Sequence, residues 1–260
     1  MRRVMNALLA ICLLSAVASA HDLYLITGTA DSMEKACAGI GERFPNSDNA
    51  VTSDRVERFR FVSGTGSSDL KGKGDRTYFC APLPAGQSGV VEMVIPPRYI
   101  RLDAKDFNEY AAAEGFDGPL SLRKQRGQTD SPGREVYSRY SKLLVGTGAD
   151  LRPLNHVLEI VPEKDPASLR SGESLPVRVL FRGKPLSGVK VSAMYADAPA
   201  KGHSFPVSAF TDQQGRAELK LDRPGLWYTR LSHMTPAQDP DFEWRSFFAT
   251  LTFRAGGQAR

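Results

Sequence analysis

Apolar residues in this chain fall mostly in short alternating runs, the period that suits strands, and only once at helical spacing. Residues 21–27 set His21, Leu23, Leu25 and Thr27 against Asp22, Tyr24 and Ile26, which predicts a strand partly covered on both faces with the histidine at its end. Residues 31–49 contain Cys37, Gly39, Gly41, Pro45 and Asn46 and read as loop with at most a short strand. Strands are predicted at 56–62, 76–81 and 90–95, the last stopped by Pro96-Pro97, and again at 137–145. Between them, residues 103–114 place Phe107, Tyr110, Ala111 and Glu114 on one helical stripe, with Asp103 as N-cap and Gly115 as stop. This is the one helix predicted, a lid on a sandwich edge. Residues 123–134, with Gly127, Ser131, Pro132, Gly133 and four basic side chains, read as a solvated loop.

From His156 onward the pattern is regular, with strands at 157–161, 175–181, 189–195, 207–211, 217–221, 226–231 and 247–253. Arg182-Gly183-Lys184-Pro185, Asp212-Gln213-Gln214-Gly215 and Asp222-Arg223-Pro224-Gly225 supply the turns. Seven short strands so joined predict an immunoglobulin-like sandwich with Trp227 in its core. The fold class is therefore all-β, two β-sandwich domains of immunoglobulin-like type, the first with an inserted helix. The domains are placed at 21–150 and 155–256, with a polar linker between them.

What precedes residue 21 changes the picture. Met1-Arg2-Arg3, an apolar run from Ala7 to Val17, and small residues at Ala18 and Ala20 make 1–20 a secretory signal peptide. The mature protein is then expected in the periplasm, beginning at His21, with no membrane span once the signal is cleaved. Removing Cys12 with the leader leaves Cys37 and Cys80, an even pair in an oxidising compartment, so one structural disulfide is expected. The charge balance, 34 basic against 29 acidic side chains with two of the basic ones in the leader, is too mild and dispersed for a nucleic-acid partner. No nucleophile triad, phosphate-binding glycine loop or carboxylate pair stands out, so no catalytic residue is assigned and the reading leans away from an enzyme without excluding one.

A histidine at a free N-terminus is a special donor, because its α-amine and Nδ1 close a chelate ring on one metal ion, and one more imidazole completes a three-nitrogen set. Such a set suits Cu(II) or Ni(II), and an amine with a pKa of about 8 yields its proton to a metal near neutral pH. The candidate metal ligands are His21, His233 and His156. His233, in Leu231-Ser232-His233-Met234, is expected at a strand end on a loop rim, where its plain alternative is a hydrogen-bonded surface histidine. His156 opens the second domain, where a groove between domains could bring it to His21 and where the alternative is side-chain packing at the joint. His203, in Lys201-Gly202-His203-Ser204, reads as solvated. Asp22 and Met234 are possible helpers.

Further along, segments such as His21-Asp22-Leu23-Tyr24-Leu25, Gly41-Glu42-Arg43-Phe44-Pro45-Asn46-Ser47 and Phe107-Asn108-Glu109-Tyr110 occur in a familiar order. They are followed by Arg134-Glu135-Val136-Tyr137-Ser138-Arg139-Tyr140, Gly225-Leu226-Trp227, His233-Met234 and Ala249-Thr250-Leu251-Thr252-Phe253. In that order the chain resembles an uncharacterised family of exported bacterial proteins, a domain of unknown function formerly described as a NikM-like component of nickel and cobalt transport. The resemblance implies an all-β exported protein linked to transition-metal handling, and its pattern includes the leading histidine and the later His-Met. A permease is excluded, since the mature sequence holds no span. Three functions follow in order of preference. The first is a periplasmic accessory that binds a Ni, Co or Cu ion and serves a membrane metal transporter. Next comes a non-catalytic immunoglobulin-like module for glycan or protein partners, and last a copper oxygenase.

Overall fold

The computed structural model describes residues 22–256, apart from 29–34, 42, 50, 75, 197 and 199–204. His21, His203 and the leader therefore lie outside the described residues. The first half of the chain forms β1 (Asp22–Thr27), β2 (Lys35–Gly41), β3 (Arg58–Ser63), β4 (Gly66–Asp69), β5 (Lys73–Gly74), β6 (Phe79–Pro82) and β7 (Gly89–Leu102). Helices α1 (Ala104–Ala113) and α2 (Asp117–Gln125) follow, then β8 (Gly133–Val145). The second half forms β9 (Leu158–Pro162), β10 (Ser174–Phe181), β11 (Lys184–Pro185), β12 (Lys190–Tyr195), β13 (Val207–Phe210), β14 (Arg216–Lys220), β15 (Gly225–Pro236) and β16 (Trp244–Ala255).

Both halves contribute to one eight-stranded sheet, in the order β13-β12-β15-β16-β8-β7-β3-β4. Its centre is the parallel pair β8–β16, in register from Glu135↔Trp244 to Leu143↔Thr252. Alternation along β7 and β8 then decides what covers each face. Val91, Met93 and Leu143 point into a core with Leu23, Leu25, Phe59 and Phe79, so the small sheet β1-β2-β6-β5 lies on that face. Val90 and Leu144 point the other way, into a core with Ile160, Val177, Trp227 and Leu251, which puts β9, β10, β11 and β14 on the opposite face. The protein is thus all-β, two sandwich layers built on a shared sheet, and Trp227 is fully buried in the second core. The chain crosses between halves at 146–155 while the sheet runs on unbroken.

β1 is covered on both sides, as its alternation predicts: Leu23 and Leu25 enter one core, while Tyr24 and Ile26 meet Phe44 and Tyr228. Cys37 and Cys80 stand opposite each other on β2 and β6 and are bonded.

Several expectations need correction. Within 31–49, read as loop with room for a short strand, residues 35–41 form the seven-residue β2, since burial of Ala36, Cys37 and Ala38 outweighs the weak strand tendency of alanine and glycine. Pro96-Pro97 does not end β7; the register slips between Ile95 and Arg98, so the two residues without N–H groups leave the ladder and the strand resumes against β8. A second helix, α2, occupies part of the supposed basic loop; Gly118 and Pro119 sit in its first turn, where proline is tolerated. Its Arg123 is buried rather than solvated, donating to Asn108 and to the Ser131 carbonyl and lying over the Phe107 ring. Asp103 precedes α1 as expected but its side chain makes no capping hydrogen bond.

Candidate functional site

The start of β1 is fixed with unusual thoroughness. Asp22 pairs with Gly41 in the ladder, and the Leu23 carbonyl accepts a hydrogen bond from the Thr250 hydroxyl at 2.8 Å. The Asp22 carboxylate lies 2.9 Å from Nε of Arg230 on β15. Nη2 of the same guanidinium donates to Glu114 at the end of α1, at 2.6 Å. Glu114 is 2% exposed, so three charges from three elements meet out of water. Burial pushes the Asp22 carboxyl up against the pull of Arg230. For Arg230, burial disfavours the charge, yet the two carboxylates more than offset it and its pKa ends above the ordinary value.

Beside this cluster runs a groove of about 720 Å³. It exists because β15 outlasts one of its neighbours: pairing with β12 ends at Ser192↔Arg230, whereas pairing with β16 continues to Pro236↔Trp244. The turn from Glu114 to Pro119 forms one wall, Lys190 and Phe210 another, and Phe210 is 69% exposed at the mouth.

His233 lies within β15 rather than at its end, paired with Phe247. Its ring sits edge-on to Phe181 at 4.8 Å, and burial alone pushes its pKa down. Three residues apart on a strand, Arg230 and His233 send their side chains to opposite faces; both line the groove, which passes the open edge between them. Met234 is buried among Phe107, Phe116 and Trp244 and serves as core. His156 is elsewhere. Its Nε2 is 2.5 Å from Glu92, its ring lies against Tyr140, and its backbone N–H bonds Glu159, which also accepts from Lys142. This buried network ties the interdomain crossing to β3, β7 and β8, and the structure does not bring His156 and His233 together.

Among the described residues no group of three or more His, Cys, Asp or Glu side chains could hold a metal ion. Burial holds His233 toward its neutral form, and it lines the groove that Arg230, the partner of Asp22, also lines. Sequence reasoning missed the Asp22–Arg230–Glu114 cluster. One signal was present, a carboxylate on the apolar stripe of a helix, which must find a cation once buried.

Taken together, the fold and the site define an all-β protein of two sandwich layers with an ion-paired N-terminal strand at a groove. The chain belongs to a family defined by a domain of unknown function, DUF4198, whose model matches residues 18–235. Among curated proteins none matches. The solved D0-D1 domain of intimin aligns at 14% identity over 89% of this chain and 97% of its own, with a TM-score of 0.21. No helix among the described residues is long and apolar enough to cross a membrane.

Proposed function

We propose that the protein is exported, is trimmed to begin at His21, and holds one copper, nickel or cobalt ion through the His21 amine and imidazole with His233 as third ligand. In this reading it is a metal-handling accessory whose partner is a membrane metal transporter, in keeping with the former NikM-like description of such chains. The supporting observation is that Asp22 is ion-paired to Arg230 on the wall of the groove that His233 also lines. In this reading the His21 and His233 ligands meet around the edge of β15 left open where β12 ends, since the His233 ring packs against Phe181 on the face opposite Arg230.

The test is calorimetric titration of tag-free mature protein with Cu(II) and Ni(II). One ion should bind per chain, an extra residue before His21 should weaken binding by orders of magnitude, and His233→Ala should weaken it less. His203→Ala should leave it unchanged. Equal affinity with and without the extra residue, or no binding by the processed chain, overturns the reading. A second function is favoured by a separate observation, the exposed Phe210 at the groove mouth, which suits a non-catalytic binding module for a glycan or protein. It becomes the better account if the titration is blank.

A further inference from the structure

We infer that the open edge of β15, from Leu231 to Pro236, is a docking site where an extended, uncharged peptide segment of a partner protein adds as one more strand and sets an apolar side chain against Phe210; the inference rests on the binding-module reading above, not on the metal one. In an antiparallel ladder alternate residues turn both N–H and C=O to the same edge. β12 uses that edge of β15 only as far as Arg230, while β16 occupies the other edge to Pro236. Among the described residues no other strand or loop backbone pairs with it. An open edge is a template for another chain, and proteins blunt it with short strands, prolines, bulges or charges. The rest of this sheet follows that practice: its outer strands β4 and β13 have 4 residues each, and where β7 runs past β3 it carries Pro96, Pro97, a register slip, Arg98 and Arg101. Leu231-Ser232-His233-Met234-Thr235 has none of these devices. It is sunk in the groove instead. An added strand would take the line that β12 leaves at Ser192, about 4.8 Å from β15, with backbone hydrogen bonds supplying affinity. The groove also selects the chemistry. Arg230 and Glu114 neutralise each other there and Lys190 balances Asp117, so its charge complement is a chain without net charge. Phe210, exposed on the wall, is the anchor for an apolar side chain.

The experiment pans displayed random peptides, each about ten residues long so as to span a strand, on the mature protein, and follows the enriched peptides by calorimetry and by hydrogen exchange of the bound protein. Their consensus should alternate apolar positions and lack net charge, their Kd should rise about tenfold on Phe210→Ala, and they should slow exchange selectively at the amides of 231–235. Methylating alternate backbone nitrogens of a peptide should abolish binding in one phase of the alternation and spare it in the other, because only one set of its N–H groups faces β15. Tyr99→Ala, at an exposed site on the blunted stretch of β7, should leave Kd unchanged. No enriched peptide, equal binding by the two methylated forms, or slowed exchange that spares β15 overturns the inference. Concentration-dependent dimerisation that protects the same amides would give the edge to a second copy of the chain and overturns it as well. If no peptide binds but a glycan array gives a signal that Phe210→Ala removes, strand addition falls and the binding-module reading stands; if neither probe binds, both fall.

Discussion

At Glu135 the fold keeps a carboxyl group at the seam of β8, β16 and α1, accepting hydrogen bonds from Tyr110 at 3.0 Å and from Ser246. Burial pushes its pKa to about 7, although those two bonds pull the other way. Because the folded value is raised, the protonated form favours folding fully below the unfolded pKa of about 4.3, and that advantage is lost as pH rises toward 7. Glu135→Gln keeps the acceptor and removes the charge. It should stabilise the protein by about 3–4 kcal/mol at pH 8 and change little at pH 4, measured as urea midpoints across that range. A variant with no gain at pH 8 would show that the carboxyl is ionised at no cost. The opposite case is Glu92, where burial is outweighed by His156 and Arg60 and the carboxyl sits below its ordinary range.

Among the elements, β2 and β6 are tied by Cys37–Cys80, which closes a loop of 43 residue steps. Chain entropy for a loop of that length gives about 3–4 kcal/mol of stabilisation. Reduction should lower the unfolding free energy by that amount in urea while leaving the far-ultraviolet spectrum of the native protein intact; an unchanged midpoint would mean the small sheet is held by its core alone. The helical hairpin is set by the neighbouring strand. Gly133 opens β8 directly under Phe107 of α1, and a Cβ there would run into the ring, so the glycine is what lets α1 lie flat on the sheet.

On the scale of the whole molecule, the shared sheet makes the two halves depend on each other. The second core takes Val90 and Leu144 from the first half, and Glu159 finds its cation in Lys142 of β8. Residues 155–260 expressed alone would therefore carry a buried carboxylate without its partner and an open β16 edge where β8 had been. Such a fragment should self-associate and melt without cooperativity, as sedimentation velocity and thermal circular dichroism would report. A monomer with a sharp transition would make the second sandwich independent of β8.

Much of this was legible from local pattern. Alternation marked β1, β3, β8 and most strands of the second half, α1 was read from its stripe and Gly115, and two cysteines were enough to pair. The all-β class follows from those periods because side-chain direction in a strand or helix is a local matter. Local signals left β2 only as an option inside a loop and missed the run of β7 through two prolines and α2, since in each the deciding term is burial against another part of the chain. The site divides the same way. Histidines 21, 156 and 233 were named from sequence as candidate ligands, and of these His21 lies outside the described residues. That His156 is bound to Glu92, that His233 lies mid-strand against Phe181, and that Asp22 is clasped by Arg230, which Glu114 holds in turn, was decided only by the tertiary structure. His156 and Glu92 stand 64 positions apart in the chain and Arg230 and Glu114 stand 116 apart. An ion pair between residues so distant leaves no periodicity in the sequence for a reader to find.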